Sequence, residues 1–433
     1  MALTCHCRAP PHEQNVVPLH SVATIAAMTE SFSLALPAPK ALTPSEEIPL
    51  LELACARDAG PDYVLKLARL LHASHRDDEV IALLSGGRLA LVQEHAGHML
   101  LGLAHLGRNR DGDAAAARQS LERAVDSAPG RRSRAAALSE LGKSHVLLGR
   151  NGPARATLDS ALAEDWRAPY AFSRMTRLNL HERRDHDLLD LADAALANGC
   201  ADSSVLAGRY LALNGLAQTE AAADIEAMGD FLWEGMLETP DGWPSLAAFN
   251  AALAEELVGH PGRKRPRQGS ETGARWRIDD LWLNRSRVVP VLMTTLQARI
   301  EQAVAALLYR DHLWCRARPA EALLHAWSMT AHDDGFDAWH MHVRGWMSGV
   351  YYVQVPEHPD DPISGCIEFG CPELPGIDRA FSGARRRIQP RPGQLLLFPS
   401  HLHHRTYPTA SSERRISVAF DVVPLRPQGS EPE

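Results

Sequence analysis

Ala117, Leu121 and Ala124 recur as Ala154, Leu158 and Ala161, each 37 residues further along the chain. Self-similarity at a fixed period of this size commits a chain to a stacked array, because one repeat cannot bury its apolar face alone. Each triplet follows a segment ending in Leu-Gly, Leu101-Gly102 in the first copy and Leu141-Gly142 in the second. In the second copy the triplet falls 12, 16 and 19 residues after Gly142; in the first it falls three residues later, so the connection Gly107–Asp113 is expected to be longer. Small residues at helical spacing let two antiparallel helices approach closely while a leucine fills the groove between them. From Ser45 to Gly235 the sequence is rich in Ala, Leu, Arg and Glu, with apolar residues at i, i+3, i+4 and i+7 and almost no alternation, so this half is expected to be helical throughout.

The Leu-Gly, Ala, Leu and Ala positions resemble the tetratricopeptide pattern, and the resemblance implies a helical solenoid over residues 46–235 whose concave surface takes a peptide or protein. Pro129 stands where that pattern ends a repeat, whereas the second copy has Trp166 there and Pro169 slightly later. Taken singly, each of these Ala, Leu and Gly residues is ordinary helix packing; only the period lifts them above it. Residues 1–45 mix Pro, Ser, Thr and Ala without sustained periodicity and are expected to form a poorly ordered tail, with translation starting at Met1 or Met28.

The texture changes near Thr239-Pro-Asp-Gly-Trp-Pro. A short amphipathic helix follows (Leu246, Phe249, Leu253, Leu257), then a basic run, Gly262–Ser270, then a helix centred on Leu292–Leu308. Beyond Leu324 the segments Ser348–Val355, Cys366–Phe369, Gln394–Phe398 and Arg415–Val423 are short, rich in Val, Ile, Tyr and Phe, and separated by Pro, Gly and Asp, as in an antiparallel sandwich or barrel. The expected fold is therefore multidomain α + β: an α-helical solenoid over 46–235, a β domain with flanking helices over 236–427, and a tail at 428–433.

At 433 residues the chain exceeds one compact domain and needs no disulfide staples. Its seven cysteines are odd in number and contain no C-x-x-C pair, which indicates neither a disulfide framework nor a zinc knuckle and points to reducing cytoplasm. A formal net charge of −8 supplies no field for a polyanion, so nucleic acid is not an expected partner and the basic run reads as a solvated loop. No run of about 18 apolar residues suggests a membrane span.

The chemistry is concentrated near the end. His340 and His342 stand at i and i+2; on an extended segment both imidazoles face one side and can reach one metal ion. His404 follows the Phe-Pro-Ser end of a strand and can be brought alongside by the fold as a third ligand. Arg415, eleven residues further on, and Ser417, two beyond it on the same strand face, offer a bidentate grip and a hydroxyl to a carboxylate. Against this stands the plainer reading that a histidine in a β region is a surface or satisfied core residue, and with 21 histidines a His-x-His pair arises readily by accident. The joint occurrence of all parts in order favours the functional reading.

His340-Met-His342, Ser348-Gly-Val-Tyr-Tyr352, Gly393-Gln-Leu-Leu-Leu-Phe-Pro-Ser400, His404 and Arg415-Ile-Ser417 together resemble the Fe(II)- and 2-oxoglutarate-dependent oxygenases, and within them a bacterial family often joined to tetratricopeptide repeats. The similarity is strongest over Trp327–Val423, with weak matches at Gln268-Gly-Ser-x-Thr272 and around Trp243 and Phe249. It implies a double-stranded β-helix, or jelly roll, with His340, His342 and His404 as metal ligands and Arg415 on the distal carboxylate of 2-oxoglutarate, Ser417 and Tyr352 (or Tyr351) beside it. Fe(II), 2-oxoglutarate and O2 would be the cofactor and co-substrates, no catalytic group beyond the metal centre is implied, and hydroxylation of a peptide or protein, with release of succinate and CO2, is the expected reaction. The superfamily holds a carboxylate where this chain has His342. That leaves three arrangements: a three-histidine centre, two histidines plus water, or a remote carboxylate from Glu368, Asp334 or Asp337. His401 and His403 are expected bystanders, and Trp339, Trp346, Tyr351 and Tyr352 taken alone are as readily core. Competing functions are an oxygenase acting on a small metabolite, an inactive repeat scaffold, and a cupin-like metal protein; the last lacks its glutamate, Trp346 and Met347 occupying that region.

Overall fold

The computed structural model describes residues 32–57, 60–85, 88–266, 271–307, 310–357 and 361–425. The alternative start at Met28, the tail at 428–433 and the match at Gln268–Ser270 lie outside them.

The helical half runs α1 Pro44–Ala56, α2 Pro61–Ala73, α3 Asp77–Ser85, α4 Glu94–Arg108, α5 Asp113–Asp126, α6 Arg131–Leu147, α7 Asn151–Glu164, α8 Ala171–His181, α9 Asp185–Ala197, α10 Ser203–Gly215, α11 Thr219–Glu226 and α12 Met228–Phe231. The repeat has the packing its spacing implies. A Cβ built on Gly102 would lie 2.6 Å from Leu121, and one built on Gly142 would lie 2.6 Å from Leu158, so each glycine admits the leucine of its partner helix. Ala117, Leu121, Ala124, Ala154, Leu158 and Ala161 are all fully buried. The longer first connection is held by Asp113, which accepts hydrogen bonds from Arg108 Nη2 at 2.6 Å, from the Arg110 amide at 2.8 Å and from His105 Nδ1 at 2.8 Å.

The remaining helices are α13 Leu246–Val258, α14 Val289–Ala306 and α15 Leu313–Arg316. The strands are β1 Ser33–Ala35, β2 Trp233–Met236, β3 Glu271–Ile278, β4 Glu321–Asp337, β5 Met347–Gln354, β6 Ile367–Gly370, β7 Arg385–Ile388, β8 Gln394–Pro399, β9 His404–Thr406 and β10 Arg415–Pro424. The major sheet has the order β1-β4-β10-β5-β8-β2 with β3 also on β4, and the minor sheet the order β7-β6-β9. The two sheets enclose an apolar layer of Val350, Tyr352, Ile367, Phe369, Leu396 and Phe398, giving the expected jelly-roll arrangement.

Two expectations about boundaries meet a different structure. Residues 33–35, expected in a poorly ordered tail, pair in parallel with Glu321–Leu323, and Leu34 is buried. Three residues carry no periodicity to read, and their partner lies far along the chain. Strand β2, at Trp233–Met236, straddles the expected division at 235/236 and pairs with β8. The halves also share one core, which runs from Ala135, Leu158 and Phe172 in the solenoid to Val418 and Phe420 in the sheet. Polar ties reinforce it: Arg379 grips Asp185 with both terminal nitrogens, Arg177 reaches the Pro375 carbonyl at 2.7 Å, and Ser203 Oγ donates to the Gly345 carbonyl at 2.7 Å.

Candidate metal centre

Strand alternation builds the site. On β10, Ile416, Val418, Phe420 and Val422 face the helical core, whereas Arg415, Ser417, Ala419, Asp421 and Val423 line a cavity of about 420 Å³. On β4 the residues His325, Trp327, Met329 and Ala331 line the same cavity from the neighbouring strand. On β5 the alternation separates the two candidate tyrosines. Tyr352 lines the cavity, and Tyr351 points to the opposite face, where its hydroxyl donates to Asn250 Oδ1 at 2.5 Å.

His340, His342 and His404 meet at this cavity, one ring nitrogen of each lying within 4.8 Å of those of the other two. Backbone hydrogen bonds fix the approach. His340 and His404 exchange both amide-to-carbonyl bonds, at 3.0 and 2.9 Å, and the His342 amide donates to the Ser400 carbonyl at 3.0 Å. Each Nδ1 has its own acceptor: the Ala338 carbonyl for His340 at 2.8 Å, the Leu402 carbonyl for His404 at 3.1 Å, and Asp421 Oδ1 for His342 at 2.5 Å. With Nδ1 carrying the proton in all three rings, Nε2 is left as a lone-pair donor. Burial lowers the His340 pKa, and burial together with the neighbouring imidazoles holds His404 well below its ordinary value, so both rings stay neutral and ready to bind a cation. Three imidazole nitrogen donors beside an open cavity fit a divalent first-row metal such as Fe(II).

The remote carboxylates do not join this group. Among the described residues the cluster able to hold a metal is the three histidines alone. Glu368 is buried beneath Arg387, Arg405 and Tyr407, at 2.8, 2.7 and 2.9 Å; against the upward push of burial, those hydrogen bonds keep its pKa low. Asp337 Oδ1 accepts from Arg275 Nη2 at 2.7 Å. Asp334 is likewise absent from the cluster. His401 Nε2 donates to the Ile225 carbonyl at 2.9 Å, and His403 is buried near Tyr210, so both stand apart.

Asp421 is a site residue that sequence reasoning misses. It accepts from His342 Nδ1 and, at 2.7 Å, from Ser348 Oγ, which in turn accepts from Ser400 Oγ at 2.6 Å. Burial raises its pKa, but His342 and Ser348 more than offset this and keep it below the ordinary carboxylate value. The negative charge absent from position 342 is thus present one hydrogen bond behind it. Only the i+2 relation to Ala419 and Ser417 on one strand face could have signalled it.

Arg415 is buried at the cavity wall, its guanidinium 3.1 Å from the Gly365 carbonyl and 3.3 Å from the Tyr407 carbonyl and Thr406 Oγ1. No carboxylate of the described residues is in ion-pair reach of it. Burial lowers its pKa, and Tyr352 and Asp337 nearby act in the opposite sense. A buried guanidinium with weak neutral acceptors and an open side is suited to an anionic carboxylate. Ser417 lines the same wall. Arg275, also buried and also lining the cavity, is another residue that the motif does not reveal.

Residues 325–421 match the family model described as "Putative 2OG-Fe(II) oxygenase". No curated relative matches the chain. Among solved structures, a Pseudomonas putida prolyl-4-hydroxylase is similar at 15% identity over 47% of this chain and 98% of that one, with a TM-score of 0.32. A thermophilic TPR protein of Thermus thermophilus is similar at 22% identity over 39% of this chain and 89% of that one, TM-score 0.31. A Trichoplax adhaerens prolyl hydroxylase in complex with a peptide fragment is similar at 10% identity over 48% of this chain and 90% of that one, TM-score 0.32.

Proposed function

We propose, from the premise that residues 325–421 carry a 2OG-Fe(II) oxygenase domain and that the chain is an oxidoreductase, that His340, His342 and His404 hold Fe(II), that Arg415 holds 2-oxoglutarate, and that the substrate is a peptide or protein. The observation that carries this is the pairing of three imidazoles, each with Nδ1 committed, and a buried guanidinium without a carboxylate, around one cavity.

Bound there, the metal and its co-substrate supply O2 activation coupled to oxidative decarboxylation, with succinate and CO2 released. The chain's own work is positioning. The Ala338 and Leu402 carbonyls and the Asp421 carboxylate keep the three rings in one tautomer and one orientation. Arg415 neutralises the distal carboxylate of the co-substrate, with Ser417 and the Tyr352 hydroxyl as neutral contacts on the same wall. Phe369 and Phe398, with ring centroids 5.6 and 5.0 Å from His404, cover one flank of the imidazoles and exclude water from it. The peptide assignment is supported by the helical repeats, one loop of which contributes Tyr170 to the cavity lining.

The test is anaerobic Fe(II) titration followed by succinate formation from 2-oxoglutarate. Wild type is expected to bind one Fe(II) and turn over the co-substrate even without substrate. His404→Ala is expected to lose metal binding, and Arg415→Ala to keep the metal while the KM for 2-oxoglutarate rises by about 10-fold or more. Wild type that binds neither, with both variants indistinguishable from it, would leave a repeat scaffold as the function.

A further inference from the structure

The cavity over the histidines continues beyond the sheet. Tyr170, Val343, Arg344 and Val423 line it, and all four also line a second cavity of about 430 Å³ between the sheet and two solenoid loops, at Trp166–Tyr170 and Ala201–Ser204. The two are one cleft, open at the loop edge of the repeats and closed at the imidazoles.

Tyr170 stands at the junction in an unusual state. Its φ is 61°, in the left-handed region that an aromatic residue seldom occupies, and 43% of its surface is exposed. Such backbone persists only where the surroundings over-determine it. Here they do: Ser139 Oγ donates to the Pro169 carbonyl at 2.6 Å, Arg174 donates to Ser139 Oγ at 2.6 Å and to Glu140 at 2.7 Å, and the Arg174 guanidinium lies 5.4 Å from the centre of the Tyr170 ring. The fold therefore spends local strain to present an aromatic face to the cleft.

The charge of the cleft runs against that of the chain. Its acids are already engaged: Asp337 by Arg275, Asp421 by His342, and Asp202 by Arg167 at 3.5 Å. Arg344, exposed at the same junction as Tyr170, has no carboxylate in ion-pair reach among the described residues. A net charge of −8 overall and a free guanidinium at this mouth define the ligand by complementarity.

We propose that the cleft docks an extended polypeptide segment bearing an acidic side chain, with its backbone across the Tyr170 ring and its carboxylate on Arg344. This rests on the reading of the chain as a peptide-directed oxygenase and makes the loop edge of the repeats, rather than their concave surface, the part that meets the substrate.

The test uses the full chain and fluorescein-labelled random peptide pools of equal length, one enriched in Asp and Glu and one in Lys and Arg, read by anisotropy. Wild type is expected to bind the acidic pool about 10-fold more tightly or better. Arg344→Glu is expected to abolish or reverse that preference, Arg344→Gln to reduce it, and Tyr170→Ala to weaken the acidic pool about 5- to 10-fold. Arg69→Glu, on an exposed residue of α2 outside both linings, is expected to change nothing. Equal binding of the two pools, or a preference that Arg344→Glu and Arg69→Glu alter alike, overturns the proposal. Should Tyr170→Ala unfold, the two Arg344 variants decide it. Succinate formation on the same peptides is measured separately: a retained charge preference with no turnover on any peptide sinks the hydroxylation reading and leaves the docking site standing.

Discussion

In the proposed centre His342 stands where a carboxylate would otherwise meet the metal, and Asp421 lies directly behind it. A carboxylate ligand would bring a negative charge into direct contact with the cation. Here the charge is held on Asp421, 2.5 Å from His342 Nδ1, where it takes the Nδ1 proton's hydrogen bond and fixes the ring's orientation. Replacing Asp421 by Ala is expected to weaken Fe(II) or Co(II) binding by about 10- to 100-fold in equilibrium dialysis, with unchanged far-UV circular dichroism. Asp421→Asn keeps an oxygen that can accept the same bond and should fall between. Metal affinity indifferent to both would mean that Asp421 serves only packing. His340, His342, His404 and Arg415 are legible in the sequence because their order and spacing survive in one dimension. Asp421 is not, because it acts only through a partner 79 residues away that lies beside it across the sheet.

At the scale of elements, the repeat tests its own geometry. Gly142→Ala gains up to about 1 kcal/mol of helix propensity, but the added methyl meets buried Leu158 at 2.6 Å. Overpacking in a closed groove costs about 1–3 kcal/mol, so the packing term wins and a lower Tm is expected. A rise in Tm would show that the helices can part without penalty. Asp113, at the start of α5, gives a second check. Its hydrogen bond from Arg108, first among several, lowers its pKa below the ordinary value. A carboxylate with a depressed folded pKa contributes stability that is present above its unfolded pKa, about 4, and is lost as pH falls through the folded value. Asp113→Asn is therefore expected to cost about 1–3 kcal/mol at pH 7, with the gap to wild type narrowing below pH 4 in urea melts. A gap independent of pH would assign the effect to shape alone. The repeat is readable because helix packing imposes a period. The strand at Ser33–Ala35 is not, since three residues take their conformation from Glu321–Leu323 and hold no pattern of their own.

On the scale of the whole molecule, solenoid and sheet are packed around one shared core. Ala135, Leu158 and Phe172 share a core with Val418 and Phe420, and Arg379 grips Asp185 across the join. Calorimetry is expected to record a single unfolding transition; two resolved transitions would show that the halves melt independently. The texture of the sequence foretells two folds but not their fusion, because each half satisfies its own periodicity and the seam, including β2 at Trp233–Met236, is built from residues that look unremarkable in either.

The paired backbone bonds between His340 and His404 hold two of the three rings at their final spacing by means of the sheets alone. A protein stripped by a chelator should then keep its fold and its empty socket, and a returning ion should load at the speed of diffusion and water exchange, without waiting for any strand to reassemble.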